Sequence, residues 1–149
     1  QLAVKTANIL FYTRLLEGTY PDTSRIIPQS AKMTLILKTK DLLNAIDRAS
    51  LMTKGGKNNV VRLEAEGEKV TITADTPEVG KVSETVDVHE MTGEPLKISF
   101  NAKFMLDALR ALDCEQIRIE FTGAMAPFII QPTDQDWVLY LILPVRTYQ

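Results

Sequence analysis

From residue 33 onward, apolar and polar positions follow two periods in a fixed order. Met33 to Lys38 alternates with period two, the mark of a half-buried strand. Thr39 can cap a following helix whose apolar stripe is Leu42, Leu43, Ile46 and Ala49. The glycine-containing stretch 54–59 reads as a loop. Strand-like runs follow at 60–65, 69–74 and 81–88, with Glu66-Gly-Glu68 turning the first into the second and Pro77 in the next turn. The order then repeats. Residues 96–100 form a strand, and Asn101 caps a helix with Met105, Ala108, Leu109 and Leu112 on one face. Strands follow at 116–121, 127–131 and 137–145. The helices share a local frame, Leu42-Leu-Asn-Ala-Ile46 against Met105-Leu-Asp-Ala-Leu109. The chain therefore holds an internal duplication of about 60 residues, each half running β-α-β-β-β. Strands and helices that are apolar on one side only must cover each other. The expected fold is α+β with pseudo-two-fold symmetry, two helices packed on antiparallel sheets.

The first 30 residues do not fit this repeat. Residues 1–16 read as a hairpin, with Leu2 and Val4 alternating and Asn8 at the turn. Residues 19–25 are polar and hold Pro21, and Ile26-Ile27-Pro28 closes them, as expected of an extended connector. A lone hairpin is marginal in water, so residues 1–16 are expected to belong to a larger sheet. With no Met at position 1, the chain reads as a fragment of something longer.

Composition narrows the function classes. Over 149 residues, 17 Lys and Arg stand against 19 Asp and Glu, a formal charge of −2, which argues against a simple nucleic-acid-coating protein but not against a local basic surface. One cysteine, Cys114, excludes an intramolecular disulfide framework and a Cys-rich zinc site. The longest uncharged stretch, between Glu120 and Asp134, is interrupted by Gly123, Pro127 and Pro132 and is too short to cross a bilayer. No signal peptide is visible, and a cytoplasmic location without membrane attachment is expected.

Catalytic chemistry finds little support. His89 stands in Val88-His-Glu-Met91 without a nucleophile or a ligand-spaced partner and reads as a surface loop histidine. Cys114 has no basic neighbour to lower its pKa and reads as a structural thiol. Gly55-Gly-Lys57 lacks the strand–GxxxxGK[ST]–helix frame of a phosphate loop. No cofactor is implied.

The duplicated pattern is preceded by Arg14-Leu-Leu-Glu-Gly-Thr-Tyr-Pro-Asp22 and ended by Leu143-Pro-Val-Arg146. Phe100-Asn101 opens the second helix and Leu109-Arg-Ala-Leu-Asp-Cys-Glu115 ends it, and Ile72-Thr-Ala-Asp-Thr-Pro77 lies between. Over its whole length the chain resembles the bacterial DNA sliding clamps, the beta subunit of DNA polymerase III. Tyr20, Thr23-Ser-Arg25 and the Arg146-Thr-Tyr148 ending resemble those of low-GC Gram-positive bacteria. The resemblance implies a non-catalytic processivity factor with three copies of the duplicated domain per chain, two chains closing head-to-tail around duplex DNA. Residues 30–149 would be the third clamp domain, 19–29 the interdomain connector, and 1–18 the last strands of the second domain. Without a first domain the fragment is expected to be a monomer.

The resemblance also implies site residues. A hydrophobic groove would accept linear peptides, with Leu and Phe anchors and a Gln, from the DNA polymerase III alpha subunit, the clamp-loader complex and other replication and repair proteins. By position it would use Pro21, Arg25, Ile26, Asn101, Phe104, Met125, Pro127, Leu141, Leu143, Pro144, Val145 and Arg146. Apolar anchors would supply most of the affinity and a few donors would fix register. Lys40, Arg48, Lys54, Lys57, Lys103 and Arg110 would face DNA through sequence-independent, salt-sensitive phosphate contacts. Ring closure would use Leu51 and Met52 with the edge strand at Lys81 and Glu84, where Glu78, Gly80 and Ser83 make a mixed rather than an acidic set. Two rivals stand beside this reading: an unrelated α+β enzyme with an internal duplication, and a structural oligomerisation domain without a peptide groove.

Overall fold

The computed structural model describes residues 1–53, 59–77 and 80–147. β1 (Leu2–Lys5) and β2 (Leu10–Thr13) form a two-stranded sheet of their own, turned at Thr6, whose N–H donates to the Ile9 carbonyl at 2.8 Å. Both faces of this hairpin are exposed, including Leu2, Val4, Leu10, Phe11 and Tyr12. The connector holds one 3-10 turn, Thr23–Arg25, capped by the Asp22 carboxylate, which accepts from the Ser24 N–H at 3.1 Å.

The repeat follows as β3 (Met33–Lys38), α1 (Thr39–Leu51), β4 (Val60–Glu66), β5 (Lys69–Thr76), β6 (Gly80–Asp87) and β7 (Glu90–Gly93). The second half is β8 (Leu96–Asn101), α2 (Ala102–Ala111), β9 (Gln116–Phe121), β10 (Phe128–Pro132) and β11 (Tyr140–Ile142). One antiparallel sheet runs β11-β10-β9-β3-β7 and the other β6-β5-β4-β8. The halves exchange their opening strands: β3 pairs with β9, and β8 pairs with β4. Register places apolar residues opposite each other on the inner faces, Leu35 with Ile119 and Leu37 with Ile117, Val61 with Phe100 and Leu63 with Ile98. These residues are buried in one core with Leu42, Ala45, Ile46 and Ala49 of α1 and Met105, Ala108 and Leu109 of α2. Phe128 packs edge-on against Phe100 at 5.7 Å and tilted against Phe121 at 5.0 Å. The two helices pack on each other and cover the sheets.

Equivalent positions lie 102 − 39 = 63 residues apart at the helix starts, and the backbone bonds that join the halves come in matching pairs. Thr39 N–H donates to the Glu115 carbonyl at 2.9 Å, and Ala102 N–H to that of Asn59 at 2.8 Å. His89 N–H reaches the Ile36 carbonyl at 2.8 Å, and Val145 N–H that of Ser99 at 2.7 Å.

Three sequence expectations need correction. The apolar run 137–145 is not one strand: its ladder with β10 covers only Tyr140–Ile142. Pro144, without an N–H, instead bridges Phe100 of β8, as β7 crosses from β6 to the edge of β3. β7 itself was not expected. Thr39 is not the cap of α1: Lys38 occupies that position without a side-chain cap bond, because the strand carries on to Lys38 and turns Thr39 inward. The Thr39 hydroxyl lies 3.6 Å from the Cys114 sulfur. Asn101 does cap α2, accepting from the Lys103 N–H at 2.9 Å. The 54–59 loop reading lies outside the described residues except for Asn59.

Candidate functional site

Where the chain leaves β11 and crosses to β8 it passes over the start of α2, and a concavity of about 550 Å³ forms there. Its lining is Asn101, Phe104, Leu141, Ile142, Leu143, Pro144 and Val145. Six of these are groove residues expected from the sequence. Strand alternation explains the shape. Ile142 turns its side chain into the core and is 4% exposed, whereas Leu143 turns outward and is 63% exposed. Phe104 lies on the outer face of α2 and is 60% exposed, so the walls are two large apolar side chains held open to water. Asn101 spends its side-chain oxygen on the α2 cap and keeps its amide N–H groups for a ligand. Ile142 was missed because its position reads as core, which it is.

A second concavity of about 420 Å³ adjoins the first and shares Val145 with it. Met125 lies there with Arg62, Lys97, Ile98, Ser99, Ala124 and Thr147. The other expected groove residues line neither concavity. Pro21, Arg25 and Ile26 are exposed on the connector, and Arg25 forms an exposed ion pair with Asp22 at 3.3 Å. Pro127 is half-buried with its carbonyl accepting from the Thr122 hydroxyl at 3.4 Å, and Arg146 is exposed.

The basic residues expected to face DNA divide into two kinds. Lys40 and Lys103 are exposed at equivalent places in the first turns of α1 and α2. Arg48 and Arg110 are instead engaged within the chain. Arg48 donates two hydrogen bonds, at 2.9 and 2.8 Å, to the Glu84 carboxylate on β6, and Arg110 pairs with Asp47 at 2.9 Å. Hydrogen bonding to Arg48 lowers the Glu84 pKa, and the same bond raises that of Arg48. Lys54 and Lys57, and the phosphate-loop stretch 55–57, lie outside the described residues, as does Glu78. The expected ring-closure pair splits: Leu51 is 54% exposed, whereas Met52 packs against the core. Lys81 is exposed on β6, the edge strand of its sheet, and Glu84 is held by Arg48.

His89 is exposed, near Glu68, Asp87 and Glu90, and Cys114 is half-buried. Among the described residues no cluster of His, Cys, Asp and Glu has metal-binding geometry. No described helix is long and apolar enough to cross a membrane.

Comparison with known proteins agrees with this architecture. Residues 24–146 match the family model described as DNA polymerase III beta subunit, C-terminal domain. The chain is 50% identical over 149 residues to the beta sliding clamp of Bacillus subtilis and 45% identical over 148 residues to that of Staphylococcus aureus. Each match takes in 99% of this chain and 39% of the relative, so the chain spans well under half the length of these proteins. The crystal structure of the Bacillus subtilis sliding clamp superposes with a TM-score of 0.88 at 50% identity, over 98% of this chain and 39% of that one. The beta subunit of Thermotoga maritima superposes with a TM-score of 0.89 at 28% identity, over 98% and 39%. With its exchanged opening strands, paired helices and a family match that runs from the connector to Arg146, the chain belongs to the DNA polymerase III beta subunit family, in the part that forms the C-terminal domain.

Proposed function

We propose that this chain is the C-terminal part of a bacterial sliding clamp, a non-catalytic processivity factor that encircles duplex DNA and tethers the replicative polymerase. Residues 30–149 would be the third clamp domain, 19–29 the connector, and 1–18 the closing strands of the second domain. The separate β1–β2 sheet, apolar and exposed on both faces, supports that division. In the intact protein, two chains would close the ring in the cytoplasm.

The observation that carries the reading is the open apolar concavity between α2 and the 141–145 crossing. Core side chains need no such opening, whereas a linear peptide with Leu and Phe anchors needs an apolar hollow flanked by a few donors. The occupants would be segments of the polymerase alpha subunit, the clamp loader, and other replication and repair proteins. Contact with DNA would be weak and salt-dependent, through cations such as Lys40 and Lys103, since the ring supplies retention and tight base readout would stop sliding.

The test is an NMR titration with a synthetic peptide carrying Gln, Leu and Phe anchors. Shifts concentrated at Asn101, Phe104 and residues 141–146 are expected, with Arg25 joining if the connector closes on the peptide. Saturable shifts elsewhere would reject the groove.

A further inference from the structure

We propose that the second concavity, beyond Val145, is a subsite for an acidic side chain of the same partner segment whose apolar anchors occupy the first. This rests on the groove reading above. Among the described residues Val145 alone lines both hollows, and its N–H is fixed to the Ser99 carbonyl at 2.7 Å, so the ridge between them is backbone-anchored. A segment leaving the first hollow across Val145 enters the second.

The chemistry changes at that ridge. Among the described residues the first hollow has no charged side chain, whereas the second holds Arg62 and Lys97 beside Ile98, Met125 and Val145. Lys97 is taken: its ammonium pairs with Glu64 at 3.2 Å, directly across the β4–β8 ladder. Arg62 is not. Its cross-strand neighbours are Thr73 on β5 and Ser99 on β8, neither of them charged. Among the described residues no carboxylate lies within ion-pair distance of Arg62, and it makes no side-chain hydrogen bond. Among the described residues the acidic groups on this face are Glu64, held by Lys97, and Asp75, which stands opposite Lys81. Arg62 is half-buried, and among the described residues its planar donor fork is unspent. A carboxylate accepts from that fork through two parallel bonds.

The test uses fluorescence anisotropy with labelled peptides carrying Gln, Leu and Phe anchors. Each is extended at one end or the other by Asp-Glu-Asp or by Asn-Gln-Asn. At low salt, one of the acidic extensions is expected to bind about five-fold tighter than its neutral counterpart. That advantage should shrink as salt rises, vanish in Arg62→Gln and be kept only in part by Arg62→Lys, which retains the charge but not the fork. Equal binding of acidic and neutral peptides, or an advantage that Arg62→Gln leaves intact, overturns the acidic subsite and leaves the groove standing. Failure of every peptide to bind overturns both.

Discussion

Leu143 and Ile142 are neighbours of similar size whose replacement by alanine should have opposite consequences. Ile142 is 4% exposed and packs in the core, so Ile142→Ala removes buried methyl groups and leaves a cavity. The expected loss of stability is about 2–5 kcal/mol. Leu143 is 63% exposed, so most of its apolar surface still faces water in the free protein. Leu143→Ala should therefore change stability by less than about 1 kcal/mol. What it removes is surface that a docked peptide would cover. Fully burying a leucine is worth about 1.5–3 kcal/mol, and roughly two thirds of that remains available here, so docking should draw about 1–2 kcal/mol from this side chain. That is roughly a five- to thirty-fold rise in Kd. Urea denaturation of both variants gives the stabilities, and peptide anisotropy gives the affinities. A Leu143→Ala chain that unfolds early, or binds the anchor peptide with unchanged Kd, would refute the assignment of inner and outer faces on which the groove depends.

Other outcomes follow from single contacts. Lys38 has the extended backbone of a cap, as Asn101 does at the equivalent position, yet no side chain caps α1; Lys38→Asn should raise stability by about 0.5–1 kcal/mol in urea unfolding, and Asn101→Ala should lower it by about 1 kcal/mol. Gly93 has φ +106°, and a Cβ there would strike the Lys32 carbonyl, so Gly93→Ala should cost at least about 2 kcal/mol by thermal unfolding. The Glu84 pKa is depressed in the folded chain, chiefly by its bond to Arg48; the stabilisation this gives is present above the ordinary glutamate value of 4.5 and is lost as pH falls through the folded value. Unfolding midpoints measured between pH 7 and pH 3 should fall less steeply for Glu84→Gln than for the parent chain.

Much of this fold was legible because burial follows short periods. Leu35 and Leu37 against Thr34 and Lys38, or Leu42 and Ile46 one turn apart, announce their faces without any tertiary information. β7 escaped because Glu-Met-Thr-Gly has no such alternation; its position comes from the open edge of β3. The crossing at Pro144 escaped because every residue from 137 to 145 is uncharged, and periodicity registers apolarity, not the identity of the hydrogen-bond partner. In the groove, Leu141 and Leu143 could be found from alternation plus resemblance, whereas their meeting with Phe104 depends on how α2 lies against the crossing. The pairing of Arg48 with Glu84 joins residues 36 apart, and that of Arg110 with Asp47 residues 63 apart; no local pattern records either.

The second of those separations is also the offset between the repeats. Asp47 and Arg110 are the same position of the same motif, meeting across the line that relates α1 to α2. Two separate, identical halves assembled the same way would set each such residue against its twin, carboxylate on carboxylate or guanidinium on guanidinium. Opposite charges at this point are open only to halves joined in one polypeptide and free to differ. The contact therefore selects unlike halves: it favours the first half beside the second and disfavours either beside itself. Two chains exchanging halves would keep it, whereas a dimer of either half alone would carry the repulsion.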